Sequence, residues 1–435
     1  MTILFLGVTA LLILLLLNAC PVGFAMLIAG SIGILLAVGD GVAISVLRLT
    51  PHEHVASYTL STLPMFVLMA ELLTAARFTR DLFNASYKWM GHIKGGLAYA
   101  SIAGGAMLSA VSGSSSASAG TLAGAAYPEM KRYGYDDSFS TATVAVSGTL
   151  AIIIPPSIAL VVYGIITESS VGALFLAGVI PGLITAIGYF IAIKITLSRN
   201  PDFAPTAPSR FPASERLSSL RTTWPVIVLM LFLLIAIYTG IATVTEIGAI
   251  SALLALLLAA GLGRLTLKSA ANAFMSAARN SIMILTIIFG ASVFGAFATL
   301  TGVPQTLVQA VNESGFGSWA VVLLILAIFL ALGFFLDQMA ALLLVLPIAY
   351  PVLHALGVNE IWFGILVVKT VEIGLLTPPM GLNCFIVSSV TRVPVQQVFR
   401  GIWWFVLLDL AVIAILLLVP DLVLFLPRLA GVGGL

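Results

Sequence analysis

The chain has 435 residues, 60 % of them hydrophobic and 8 % charged, with a mean hydropathy of +1.16 and a formal net charge of +2 at pH 7. That balance excludes a soluble globular domain and identifies an all-α polytopic membrane protein. The two cysteines, Cys20 and Cys384, are too few and too deep for a disulfide framework or metal cluster, and His52, His54, His92 and His354 all sit at or near predicted loops.

A spanning helix needs ~20 apolar residues. On that measure helix one covers about 2–19 and helix two about 21–38. The "LLLLNAC" ending at Cys20 resembles a lipoprotein cleavage box, but it lacks a basic leader and another apolar segment follows at once, so helix one is predicted to be retained. A polar connection with Asp40, Arg48, His52, Glu53 and His54 leads to helix three, about 55–76. The basic segment 77–94, with Arg77, Arg80, Lys88 and Lys94, is cytoplasmic by the positive-inside rule, which puts the N-terminus outside.

From Gly95 small residues dominate, with a polar tip at 112–118 and a basic end at Lys131 and Arg132. Two basic flanks predict a re-entrant hairpin that enters from the cytoplasm. A broken helix follows, about 140–166, then a helix at 171–196 and a polar, proline-rich cytoplasmic linker at 198–223, whose Arg210, Arg216 and Arg221 enforce topology. Helices at 224–240 and 242–262 lead to Arg264, Lys268 and Arg279, again inside, and a helix at about 281–301 reaches the outer stretch 302–318. The segment 319–351, with "FFLDQMAALL" at its tip, is a second hairpin, entering from outside. The second broken helix, about 361–389, and a last helix, about 402–420, leave the C-terminus outside. This threading puts 16 of the 19 Lys and Arg residues in the cytoplasm.

The two broken helices carry related motifs, "GTLAIIIPPSIALVVYG" from Gly148 and "EIGLLTPPMGLNCFIVSS" from Glu372. Proline donates no backbone hydrogen bond and restricts the residue before it. In hydrocarbon such a break is tolerated only where protein or a water-filled cavity satisfies the freed groups. The motifs belong to a longer repeat. A shift of 223 positions pairs Tyr127 with Tyr350, Pro128 with Pro351, Gly134 with Gly357, Pro155 with Pro378, Pro156 with Pro379 and Gly178 with Gly401. Opposite entry of the hairpins makes the repeats inverted, and matched broken segments in two halves mark a transporter's binding site.

Several residues are chemically notable. The serine-rich first tip offers hydroxyls and amides facing a break, or simply lets helices approach closely. Helix N-termini suit a carboxylate, and unwound carbonyls suit Na⁺. Lys369 and Glu372, one helical turn apart, either neutralise each other or serve ion coupling. Asp337, at the second tip, is a cation ligand, a gate or an interfacial charge, whereas Glu71 and Glu246 read as structural. "GSSSA" at 113–117 loosely echoes a nucleophile elbow, but no histidine is predicted at membrane depth to act as base.

Taken together, "SAVSGSSSASAGTLAGAAYPEMKRYGY", the first broken motif and "VEIGLLTPPMGLNCFIVSS" closely resemble the large membrane subunit of tripartite ATP-independent periplasmic (TRAP) transporters, over about residues 1–430. The resemblance implies an elevator-type fold with two re-entrant hairpins and two broken helices in a mobile domain. Its divisions are scaffold helices at 1–94, first transport elements at 95–196, the linker at 197–223, second-repeat scaffold helices at 224–301 and second transport elements at 302–435. It implies a non-enzymatic, Na⁺-coupled importer of an organic acid in the bacterial inner membrane. Its partners would be a periplasmic substrate-binding protein and a small four-helix membrane subunit on a separate chain; no nucleic acid and no cofactor beyond Na⁺ are expected. On this reading Ser112, Gly113, Ser114, Ser115, Ser116, Ser157, Gly381 and Asn383 bind substrate. Thr149, Pro155, Asp337, Glu372, Gly374, Thr377 and Pro378 hold Na⁺, partly through backbone carbonyls. A stand-alone ion-coupled carboxylate carrier is the alternative.

Overall fold

The computed structural model describes residues 2–52, 58–205, 210–314 and 317–432, so Glu53 and His54 of the polar connection lie outside the described residues. Every regular element among them is helical. The first half runs through α1 (Thr2–Leu17), α2 (Val22–Val38), α3 (Asp40–Thr50), α4 (Thr62–Ala75), α5 (Phe78–Met90), α6 (Gly96–Ser112), α7 (Ser115–Ala125), α8 (Tyr127–Arg132), α9 (Asp137–Ile153), α10 (Ile158–Ile166) and α11 (Val171–Arg199). The second half runs through α12 (Ala213–Thr239), α13 (Val244–Gly261), α14 (Leu267–Leu300), α15 (Val303–Ser314), α16 (Ser318–Gly333), α17 (Gln338–Ala355), α18 (Glu360–Gly374), α19 (Leu382–Thr391), α20 (Val395–Leu418) and α21 (Asp421–Leu429). Among the described residues eight helical stretches are long and apolar enough to cross a membrane. Exposed Leu183, Ile187, Ile191 and Ile195 make a stripe along α11, as lipid contact requires.

Three segments expected to be connections are helices. The polar connection holds α3, the basic segment holds α5, and the stretch 302–318 holds α15. In α5 the buried Phe78, Leu82, Phe83 and Ala85 alternate with the exposed Arg80 and Asn84 at helical spacing, so one face packs while the other stays wet. The linker is shorter than expected because α12 begins at Ala213; its Arg216 stacks 4.5 Å from the Trp89 ring, and the Trp89 indole donates to the Arg216 carbonyl at 3.1 Å. Glu71 accepts from Asn280 Nδ2 at 2.9 Å, joining α4 to α14, and Glu246 accepts the Thr243 N–H at 2.7 Å in a capping box.

The 223-residue spacing is visible in the elements themselves. α6 and α16, α7 with α8 and α17, α9 and α18, α10 and α19, and α11 and α20 occupy matching stretches. Local chemistry repeats with them. Asp136 caps α9 by accepting the Phe139 N–H at 2.9 Å, and its counterpart Asn359 caps α18 by accepting the Trp362 N–H at 2.9 Å. Tyr127 donates to Asp137 at 2.8 Å, and Tyr350 donates to Glu360 at 2.5 Å. Gly134 and Gly357 both adopt positive φ, at +75° and +66°, in the turn between hairpin and broken helix.

Both breaks occur where the sequence places proline. α9 stops at Ile153 before Pro155 and Pro156, and α18 stops at Gly374 before Pro378 and Pro379. The freed carbonyls find local donors: the Ser157 hydroxyl donates to Ile152, and Thr377 donates to Ile373 at 2.7 Å. Every residue of α9 from Phe139 to Ile153 and every residue of α18 from Ile361 to Gly374 is buried. The broken helices therefore form the centre of the molecule, with α6, α7, α19 and α20 packed around α9 and with α10, α11, α16, α17 and α20 around α18.

Elsewhere α2 packs along α14, and α4 packs against α13 and α14. The α2–α14 contact depends on backbone approach: a Cβ on Gly290 would lie 2.1 Å from the Gly23 carbonyl oxygen. Gly290→Ala is expected to push these helices apart at a cost of about 1–3 kcal/mol, read as a lower melting temperature. Gly7→Ala, at a position with nothing within 4 Å of the new methyl, should leave it unchanged; equal melting temperatures would show that the contact is not tight.

Candidate functional site

The first hairpin turns between α6 and α7, at Gly113 and Ser114. Gly113 has φ +56°, and a Cβ there would sit 3.1 Å from the Pro156 carbonyl oxygen, so the tip presses on the first break. Ser114 is extended and caps α7, accepting the Ala117 N–H at 3.5 Å. Ser112 shares a 2.5 Å hydrogen bond with Ser118. Buried Ser115 donates to Asn383 Oδ1 at 3.4 Å, which joins the tip to the second break. Ser116 is half-buried in the first turn of α7. The tip is thus wedged between both breaks. Beside it Ser112, Gly113, Pro156 and Ser157 face Phe66 and Met69 of α4 across a cavity of about 10 Å³, room for roughly one water.

At the second break Gly381, with φ +54°, precedes α19, and Asn383 is wholly buried. The Asn383 Nδ2 amine has no hydrogen-bond partner, an uncommon state for a buried donor. Gly374 meets the other hairpin, since a Cβ there would lie 2.5 Å from the Gly333 carbonyl carbon. Pro155 is buried in the first break, while Thr377 and Pro378 are half-buried in the second. Asp337 is exposed and caps α17 by accepting the Ala340 N–H at 3.0 Å.

A charged cluster lies one turn before the second break. Lys369 Nζ is 3.0 Å from Glu372 Oε1 and 2.7 Å from Asp409 Oδ1, all three side chains being fully buried. The Tyr189 hydroxyl is 2.8 Å from Asp409 Oδ2, 3.2 Å from Glu372 Oε1 and 3.3 Å from the Thr149 hydroxyl. Thr149 and Glu372, equivalent under the 223-residue shift, thus meet through Tyr189, and the cluster ties α9, α11, α18 and α20 together. Among the described residues no three His, Cys, Asp or Glu side chains gather to hold a metal ion. A cation at the breaks would draw on hydroxyls and carbonyls and at most on single carboxylates such as Glu372, oxygen donors that suit a hard ion.

Residues 9–422 match the family model of the tripartite ATP-independent periplasmic transporter, DctM component. The chain belongs to this family. As a TRAP large permease it is 34 % identical over 408 residues to the C4-dicarboxylate TRAP transporter large permease protein DctM of Pseudomonas aeruginosa, covering 93 % of this chain and 94 % of that one. It is 31 % identical over 415 residues to the sialic acid TRAP transporter large permease protein SiaM of Vibrio cholerae, covering 94 % and 95 %. In fold it resembles the crystal structure of the Alcanivorax borkumensis YdaH transporter, with a TM-score of 0.68 at 11 % identity over 92 % of this chain and 97 % of that one.

Within this TRAP permease, sequence reasoning pairs Lys369 with Glu372 but misses Asp409 and Tyr189. A signal for Asp409 exists, because it is the only ionisable side chain in the apolar stretch 402–420. Tyr189 has none, since tyrosine is common in membrane helices and only packing reveals what its hydroxyl touches.

Proposed function

We propose that this TRAP permease imports an organic acid, received from a periplasmic binding protein, by coupling its entry to inward Na⁺ flow. The observation that carries the reading is Asn383 Nδ2, a buried, unpartnered donor between the first hairpin tip and the second break. A donor of that kind, with the N-termini of α7 and α19 close by, suits a carboxylate. The dicarboxylate and sialic acid named for its relatives are both of this class. Ser112, Gly113, Ser114, Ser115, Ser116, Ser157 and Gly381 would shape the rest of the substrate site. Na⁺ would be held by the carbonyls and hydroxyls of Thr149, Pro155, Gly374, Thr377 and Pro378, with Glu372 and Asp337 supplying negative charge.

In this reading 95–196 and 302–435 move as an elevator against scaffold helices at 1–94 and 224–301, with 197–223 as linker. The two halves are inverted, both termini are periplasmic, the membrane is the bacterial inner membrane, and a separate small four-helix subunit completes the complex. The first experiment is uptake of radiolabelled succinate or sialic acid into proteoliposomes under an inward Na⁺ gradient. Accumulation is expected only when this chain, the small subunit, the binding protein and Na⁺ are all present. Accumulation by this chain alone would replace the tripartite reading with a stand-alone carrier, and accumulation equal in choline would overturn Na⁺ coupling.

A further inference from the structure

The buried cluster around Lys369 does not balance. Asp409 has both oxygens engaged, Oδ1 by Lys369 at 2.7 Å and Oδ2 by Tyr189 at 2.8 Å. Tyr189 has one hydroxyl proton, and its shorter contact is to Asp409 rather than to Glu372. The Thr149 hydroxyl, beside Glu372, donates at 2.8 Å to the Val146 carbonyl. Lys369 also sits nearer Asp409 than Glu372, at 2.7 against 3.0 Å. Glu372 is therefore the loosely held member, and its Oε2 is buried with no hydrogen-bond partner. Two carboxylates against one ammonium leave one uncompensated negative charge in a site without solvent contact. Such a charge costs several kcal/mol unless a proton or a counter-ion joins it, and Na⁺ is the counter-ion that the coupled reading supplies. Glu372 also lies in the last turn of α18, at the partially negative end of the helix dipole.

The geometry points to Asp409 and Tyr189 as positioning residues of a monovalent-cation site at the second break: Asp409, braced by the Tyr189 hydroxyl, holds Lys369, which leaves Glu372 Oε2 anionic and free for Na⁺. This rests on the Na⁺-coupled reading and deepens it. Lys369 alone would neutralise Glu372; with Asp409 to share it, the cluster keeps the charge of one carboxylate. Neither positioning residue touches the ion. Their effect is on which acid the ammonium serves.

Thermal unfolding of the purified chain in lipid nanodiscs, with NaCl replacing choline chloride at constant ionic strength, tests this without any transport assay. Na⁺ is expected to stabilise the wild type. Asp409→Asn releases Lys369 to Glu372 and should raise the Na⁺ concentration for half-maximal stabilisation about 10–100-fold, and Tyr189→Phe should raise it less, in the same direction. The double variant Asp409→Asn/Lys369→Met removes one charge of each sign and should recover the Na⁺ response lost in Asp409→Asn. A merely structural brace would not be repaired by that second substitution. An unchanged Na⁺ requirement in Asp409→Asn and Tyr189→Phe, with the wild type still responding, overturns this inference and leaves Na⁺ coupling standing. If Asp409→Asn does not fold, Tyr189→Phe decides alone. A wild type indifferent to Na⁺ overturns both readings.

Discussion

Asn383→Asp is expected to lower uptake at least ~100-fold while leaving the protein folded. The substitution is nearly isosteric, and Oδ1 can still accept from Ser115, so the hairpin-to-break contact seen at 3.4 Å survives. What changes is the other end of the side chain, where a buried donor becomes an acceptor carrying negative charge. If the substrate's carboxylate binds there, the exchange replaces attraction by like-charge repulsion costing several kcal/mol, and each 1.4 kcal/mol is about tenfold in affinity. Asn383→Ala removes the donor without adding charge and should cost less, about tenfold. Initial uptake rates in proteoliposomes, normalised to reconstituted protein, provide the check. Wild-type rates in Asn383→Asp would mean that the substrate never reaches this amine.

Lys369→Met should lower stability by about 3–5 kcal/mol, because it strands two buried carboxylates that now share no cation. Adding Asp409→Asn removes one of those charges, so the double variant should regain most of the loss. That non-additivity is the signature of residues in one network. Melting temperatures of the two single variants and the double variant measure it. Strictly additive effects would show that the three side chains are energetically independent despite their separations.

How much of this was legible beforehand differs element by element. The broken helices were, because Pro155, Pro156, Pro378 and Pro379 interrupt apolar runs and backbone chemistry forbids a continuous helix through them. The first hairpin tip was legible to within a few residues, since Gly113 and the surrounding serines are poor candidates for lipid contact. The helices α3, α5 and α15 were not, because short amphipathic segments with mixed charge read as loops when only long apolar runs are sought. The ionic cluster was half legible. Lys369 and Glu372 are one turn apart and pair by local geometry, whereas Asp409 and Tyr189 lie 40 and 180 positions from Lys369.

The class of the protein, its two breaks, its 223-residue internal spacing and the composition of its hairpin tips are all set by the order of its residues. These follow from local rules: apolar length sets membrane entry, proline ends helices, and small polar residues mark turns. Long-range packing sets which tip faces which break, that Ser115 of one repeat reaches Asn383 of the other, and that Asp409 competes with Glu372 for Lys369. Those contacts join residues far apart in the chain. The packing of α7 against α19 and of α18 against α20, rather than any propensity of the residues themselves, brings them within hydrogen-bond distance.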